Sequence, residues 1–225
     1  DWKRQMTDFL SRHESQSGIV YCLSRKKTEE TSRYLQDRGI NALPYHAGMD
    51  QFDRQAHQNA FMTDPGVVIV ATIAFGMGID KSDVRFVLHV DLPGSVEAYY
   101  QEIGRAGRDG TAAHAHMIYG LQDIRMRRLF IEGENAGLDR KRREHKRLDA
   151  LVAYCEAPEC RRRSLLEYFG EKINVCGNCD VCTDPVALVN GTEHGQKVLA
   201  AVDQSGRIYG AAHVIDILRG VPTEK

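Results

Sequence analysis

Gln101, Arg105 and Arg108 stand at i, i+4 and i+7 in QEIGRAGRDG, and helical spacing would line these three long hydrogen-bond donors along one face. Two guanidiniums on one stripe suit a polyphosphate, because arginine's planar fork meets phosphate oxygens two at a time. Gly104 and Gly107 lie among them. An interior glycine costs a helix about 1 kcal/mol against alanine, so the pair points to close approach by a ligand or a backbone. The plainer alternative is a solvated basic face on a surface helix. A second chemical set is Cys176, Cys179 and Cys182, spaced Cys-x-x-Cys-x-x-Cys, with fifteen residues separating Cys160 from Cys176. Four thiolates in a tetrahedron satisfy Zn²⁺, and the long gap leaves space for a helix to pack over the site. The competing reading is an iron–sulfur cluster. That run, however, continues to a fourth cysteine and a proline, where this chain has Thr183, Asp184 and Pro185. Zinc is the better match. Cys155 competes with Cys160 as fourth ligand, and Cys22, inside an apolar run, reads as a core residue.

The 225 residues, 42% of them hydrophobic, suffice for one ordinary domain and a smaller second one. A net charge of -1 does not announce a nucleic-acid binder, but the cations are clustered. Arg140 to Arg147 (RKRREHKR) holds six Lys or Arg against one Glu, and Arg161, Arg162 and Arg163 follow Cys160. Each run could equally be a solvated helix face. No apolar stretch approaches the roughly 20 residues that span a bilayer. The opening DWKRQMTDFL lacks the apolar centre and cleavage site of a signal peptide. The expected location is intracellular, cytoplasm or nucleoid if bacterial, with no membrane partner and no disulfides.

The elements that must position these residues alternate through the first 120 positions. GIVYCLS (18–24) is β-branched, KKTEETSRYLQDRG (26–39) reads as a helix closed by glycine, and INALPYHAG returns to an extended pattern. DQFDRQAHQNAFMTD (50–64) has an acidic N-cap and a helical set Phe52, Ala56, Ala60 and Phe61, followed by the apolar strand VVIVAT (67–72). FVLHVD (86–91), the arginine-bearing helix and AHAHMIYG (113–120) close the series. Strands alternating with helices predict an α/β fold with a parallel sheet covered on both faces, and ligands at the carboxyl ends of its strands. That rule selects Ser24 and Arg25 after the first strand, His46 to Gly48 after the second, and Thr72 with Gly76 and Gly78 after the third. Lys81 and Ser82 do not form a P-loop, because Asp80 stands where glycine is required, and no GxxxxGK[ST] occurs in these residues.

The ordered set YCLSRKKTE, YHAGM, VATIAFGMGIDKSDVRFVLH and YYQEIGRAGRDG, with CRRRSLLEYFGE and CGNCDVC after it, resembles the second motor domain and zinc-binding module of the RecQ DNA helicases. The resemblance implies a RecA-like parallel sheet over 1–135, a small helical four-cysteine zinc-binding domain over 136–188, and the start of a winged helix over 189–225. In 191–225 a helix, a turn at Gly206 and a second helix from about Gly210 fit that start. It also implies ATP-driven 3′ to 5′ unwinding of DNA, with single strands and duplex junctions as partners. Arg108 matches the arginine finger reaching the γ-phosphate of ATP, Arg105 its companion, and Gln101 the motif's leading glutamine. Asp80 and Gly78 match the segment coupling nucleotide to DNA, while Ser24, Arg25, His46, Gly48 and Thr72 match motifs that touch the DNA backbone. For His46 an ordinary half-buried histidine is an equal alternative. The pattern of cysteine followed by two arginines favours Cys160 over Cys155.

Zn²⁺ is thus the expected resident cofactor. ATP and Mg²⁺ would be held mainly by a first motor domain whose P-loop is absent from these residues. On that reading the chain is a helicase fragment, inactive alone, with the N-terminal motor domain as its partner. The alternatives are a non-enzymatic DNA-binding or accessory module on the same fold, and an iron–sulfur DNA-processing protein.

Overall fold

Alternation inside each short strand decides the architecture of the computed structural model, which describes residues 1–76 and 79–222. Strands β1 (Gly18–Tyr21), β2 (Ala42–Tyr45), β3 (Val68–Ala71), β4 (Phe86–His89) and β5 (His114–Met117) form one sheet in the order β2-β3-β1-β4-β5. Every pairing is parallel. Successive side chains point to opposite faces. Val20, Val68, Val70, Phe86 and Leu88 therefore enter one core, with Met6, Phe9 and Leu10 of α1 (Trp2–Leu10) and Leu35 of α2 (Arg25–Gln36). Ile19, Tyr21, Ile69, Ala71 and Val87 enter the other, with Phe61 of α3 (Gln51–Thr63) and Ile103 at the end of α4 (Val96–Ile103). The expected parallel sheet with helices on both faces is what folds.

Local chemistry starts and stops these elements where the sequence says. Asp50 caps α3 by accepting from Phe52 N, and Gly39, at φ +78°, ends the turn after α2. Gly18 faces Phe86 across β1 and β4, and a Cβ there would stand 2.2 Å from the ring. Glycine is needed for the benzyl group to lie flat over the strand. One packing expectation fails. Of the four-residue face on α3, Phe61 is fully buried and Ala60 half-buried, but Phe52, at 79%, and Ala56 are exposed, because it is the C-terminal end of α3 that packs on the sheet.

Helices α5 (Leu121–Gly133), α6 (Leu138–Glu156) and α7 (Arg161–Tyr168) belong to the same compact unit as the sheet, residues 1–157 and 161–173. A third apolar cluster joins them to α4 through Val96, Tyr99, Leu151 and Leu165. The basic run 140–147 is on α6, and much of it is matched. Arg140 pairs with Glu134, Lys141 with Glu132, Arg142 with Asp139 and Arg147 with Glu144, at 3.1 to 3.6 Å. The second unit, residues 158–160 and 174–225, carries α8 (Asp180–Thr183), α9 (Thr192–Gln204) and α10 (Ala211–Leu218). Gly206, at φ +75°, makes the turn expected between the last two helices. No helix among the described residues is long and apolar enough to cross a membrane.

One buried histidine gives the fold a pH dependence. His13 is 7% exposed, with Nδ1 2.9 Å from the Phe9 carbonyl and Nε2 2.9 Å from His114 Nδ1. Burial pushes its pKa down, helped by His114 and Arg12 and opposed by the Phe9 carbonyl. A folded-state value below the unfolded one means that the unfolded chain takes up the proton first as pH falls. Stability is then full above about pH 6.5 and declines as pH drops through the lowered folded value. Denaturant melts across that window should show the decline, and His13→Gln should flatten it.

Candidate functional site

The carboxyl ends of the strands hold the residues the sheet rule selects. Ser24 caps α2, its Oγ accepting from Lys27 N at 3.2 Å. Arg25, the first residue of α2, lays its side chain over Gly48, where a Cβ would stand 3.0 Å from Cδ. The glycine after the second strand thus makes room for that arginine. His46 is 3% exposed, and both of its nitrogens are engaged. Nε2 lies 3.0 Å from Glu29 Oε1, and Nδ1 accepts from Gly48 N at 3.2 Å. The ring shapes the loop that presents Gly48. Thr72 closes β3 with its Oγ1 accepting from Ala74 N.

The arginines are placed differently from the expected stripe. Helix α4 ends at Ile103, with Gly104 as its C-cap, and Gly107 at φ +67° turns the chain away. Only Gln101 is helical, and it is exposed. Arg105 and Arg108 ride the following turn, which is stitched to the segment ahead of β4 by Gly107 N to Val84 O and Asp109 N to Ser82 O. The two glycines explain this outcome, since the backbone needed at Gly107 is one that side chains avoid. A Cβ at Gly107 would also stand 2.9 Å from the Thr111 carbonyl.

The turn gives the two arginines opposite environments. Arg105 donates to the Gly76 carbonyl. Its guanidinium fills the space beside Gly76, so that a Cβ there would stand 2.5 Å from one of its nitrogens. Arg108 reaches outward, with its side chain 38% exposed, and donates to the Ile79 carbonyl at 3.1 Å and to Asp80 Oδ1 at 2.9 Å. Asp80 and Arg108, selected from separate motifs, are brought together as an ion pair. Gly78 lies outside the described residues.

Sequence reasoning missed a charged group between β1 and β4. Asp91 is 6% exposed, accepts from Leu23 N at 2.8 Å, and pairs with Lys27 Nζ at 2.7 Å. Burial raises its pKa, opposed by Lys27 and the Leu23 N–H. Arg127, half-buried, donates to the Leu92 carbonyl. The carboxyl-end rule could have found Asp91, which terminates FVLHVD.

In the second unit the four Sγ atoms of Cys160, Cys176, Cys179 and Cys182 lie within 4.8 Å of one another. Cys176 and Cys182 are 4.0 Å apart, and Cys160 Sγ accepts from Cys176 N at 3.2 Å. Zn–S bonds of about 2.3 Å put tetrahedral sulfurs roughly 3.8 Å apart, so the set fits a single zinc ion. It leaves no room among the sulfurs for several iron atoms. Hydrogen bonding with Cys179 pushes the Cys182 thiol up to about 11, outweighing the Gly177 N–H that favours the thiolate. Cys155 belongs to the other unit, its Sγ 3.8 Å from Met117 Sδ, and is not in the set. Cys22 is a core thiol, pushed up to about 12 by burial.

The helicase conserved C-terminal domain matches residues 3–110, and the RecQ zinc-binding domain matches residues 121–183. The chain is 43% identical over 222 residues to the ATP-dependent DNA helicase RecQ of Haemophilus influenzae. The chain belongs to the RecQ helicase family. The RecQ of Bacillus subtilis is 37% identical over 223 residues, and a RecQ-like DNA helicase of Xenopus laevis is 48% identical over 162. These alignments cover 98%, 99% and 71% of this chain. They cover 36%, 38% and 12% of the relatives, so the chain spans little more than a third of the bacterial RecQ proteins it matches. The zinc-binding region of the RecQ family is where the four-cysteine cluster falls, which supports Zn²⁺ as its ion.

Proposed function

We propose that this chain supplies one half of the motor of an intracellular ATP-dependent 3′ to 5′ DNA helicase: an arginine finger, a DNA-contacting sheet edge and a zinc module. Residues 1–135 are the motor half, 136–188 the zinc-binding domain and 189–225 the start of a winged helix. The observation that carries the reading is the contrast within GRAGR. Arg105 is engaged by Gly76, whereas Arg108 is exposed and, besides the Ile79 and Gly104 carbonyls, is held by a carboxylate that a phosphate can replace.

Arg108 reaches the γ-phosphate of ATP held on a P-loop domain outside these residues, with Mg²⁺ bound there too. It supplies positive charge where charge develops in phosphoryl transfer. Asp80 holds it ready, and Gln101 lines the same cleft from α4. On the other side Ser24 and Thr72 present hydroxyls and Arg25 a guanidinium to the phosphates of a DNA strand, with Gly48 making room for Arg25. His46 keeps that loop in shape. Gly78 is read as part of the nucleotide-coupling segment on its motif alone.

The zinc ion would sit among Cys160, Cys176, Cys179 and Cys182 and contribute folding free energy to a unit with few buried apolar side chains. The chain alone should show no ATP hydrolysis. Adding a RecQ first motor domain should produce DNA-stimulated turnover, and its failure to do so, with both parts folded, would favour a non-enzymatic DNA-binding module.

A further inference from the structure

The end of α4 is anchored by a pair that the arginine motif does not require. Glu102 is 7% exposed, and its Oε2 lies 2.6 Å from Nε2 of His89, the last residue of β4, itself 1% exposed. The His89 ring stacks on Tyr21, with centroids 5.2 Å apart and planes at 20°, and packs against Tyr99 at 5.2 Å. Its Nδ1 has no hydrogen-bond partner among the described residues, so the arrangement assigns the ring hydrogen to Nε2, donated to Glu102.

This pair touches both sides of the proposed motor half. Three residues past Glu102 is Arg105, bound to Gly76. Tyr21, stacked on His89, lies beside Arg105 and donates its hydroxyl hydrogen to the Phe75 carbonyl at 3.1 Å, next to Gly76. Sheet, α4 and the loop after Thr72 thus converge on one guanidinium. A buried ionisable pair is a poor device for stability alone, because well-packed apolar side chains often do as well or better. Its distinctive contribution here is to fix the direction in which α4 ends.

We propose that His89 and Glu102 are positioning residues: they lock the C-terminal end of α4 to β4, so that Arg105 ties the Thr72–Gly76 loop to the turn bearing Arg108. Displacement of the loop by DNA is then transmitted to Arg108. This inference rests on the proposed function, which assigns the loop to DNA and Arg108 to nucleotide.

The test uses the full chain with a RecQ first motor domain and DNA, and reads kcat, KM for ATP, the ratio of turnover with and without DNA, and thermal melting. His89→Leu removes the donor. It should lower DNA-stimulated kcat by about tenfold to a hundredfold, as small displacements of a catalytic group do, reduce the DNA stimulation ratio, and leave KM for ATP within about twofold. His89→Gln, whose amide N–H reaches toward Glu102 as Nε2–H does, should retain most of the stimulation. If His89→Leu does not fold, the apolar pair His89→Leu with Glu102→Met carries the same expectation. Parental stimulation in a folded His89→Leu or paired variant overturns the proposal, as does equal loss in His89→Leu and His89→Gln in step with their melting. Arg108→Ala separates the two readings: if it too leaves turnover intact, the proposed function fails, whereas its loss alongside a normal His89→Leu removes only this inference.

Discussion

Arg108→Ala should abolish DNA-stimulated ATP hydrolysis in the protein completed with a P-loop domain, lowering kcat by about 10³-fold or more, the range an arginine finger supplies. KM for ATP should change far less, because the contact strengthens as charge builds on the transferring phosphoryl group. The fold should not suffer. Arg108 is 38% exposed, and its ion pair with Asp80, 87% exposed, is of the kind whose loss costs little. Arg105→Ala should behave otherwise. It empties the space beside Gly76 and leaves that carbonyl without its donor, so destabilisation should accompany its loss of turnover. Comparing melting curves with kcat for the two variants distinguishes a chemical arginine from a structural one. Equal turnover in Arg108→Ala and its parent would remove Arg108 from the mechanism.

Removal of zinc should unfold the second unit and leave the first folded. Structural zinc sites contribute apparent binding free energies of about 10–16 kcal/mol at neutral pH, as much as the whole stability of an ordinary domain. Among its described residues the second unit has only Cys160, Val181, Ala201 and Val214 as buried apolar residues, too few to order some 55 residues without the ion. Cys176→Ser and Cys179→Ser should each lose stoichiometric metal and expose 174–222 to proteolysis, while the sheet keeps its melting transition. A strong chelator should do the same to the parent protein, and faster at lower pH, where protons compete for the sulfurs. Normal metal content with an intact protease pattern in either variant would refute the cluster.

The sheet was legible because β-branched runs separated by capped helices leave few other arrangements. Val67–Thr72 and Phe86–Asp91 read as strands, and Asp50 as a cap, directly from side-chain chemistry. Cys176, Cys179 and Cys182 were legible from their spacing, which suits a tetrahedral ion, while the choice of Cys160 over Cys155 rested on the family resemblance. The arginines were misplaced because a spacing of i, i+4 and i+7 was read as helix through two glycines, whereas Gly104 caps α4 and Gly107 adopts positive φ. Glycine's cost in a helix, taken there as the sign of close approach by a ligand or a backbone, marks an ending at Gly104 and a close approach of the Thr111 carbonyl at Gly107. His89 and Glu102 were invisible as a pair because they lie 13 residues apart, a distance that no local pattern spans, whereas Asp91 was open to the carboxyl-end rule. A histidine inside an otherwise apolar strand was the only available hint.

The pairing along α6 bears on how the chain meets a polyanion at a distance. A cation beside a carboxylate is a short dipole, and its field dies away faster than that of a lone charge. Beyond a Debye length of about 8 Å at physiological salt, the matched part of RKRREHKR is close to electrically silent. The described helix with the most lysines and arginines is therefore poorly suited to steering a nucleic acid in from solution. Its guanidiniums become useful only at contact, when a phosphate takes the place of a glutamate or aspartate already there.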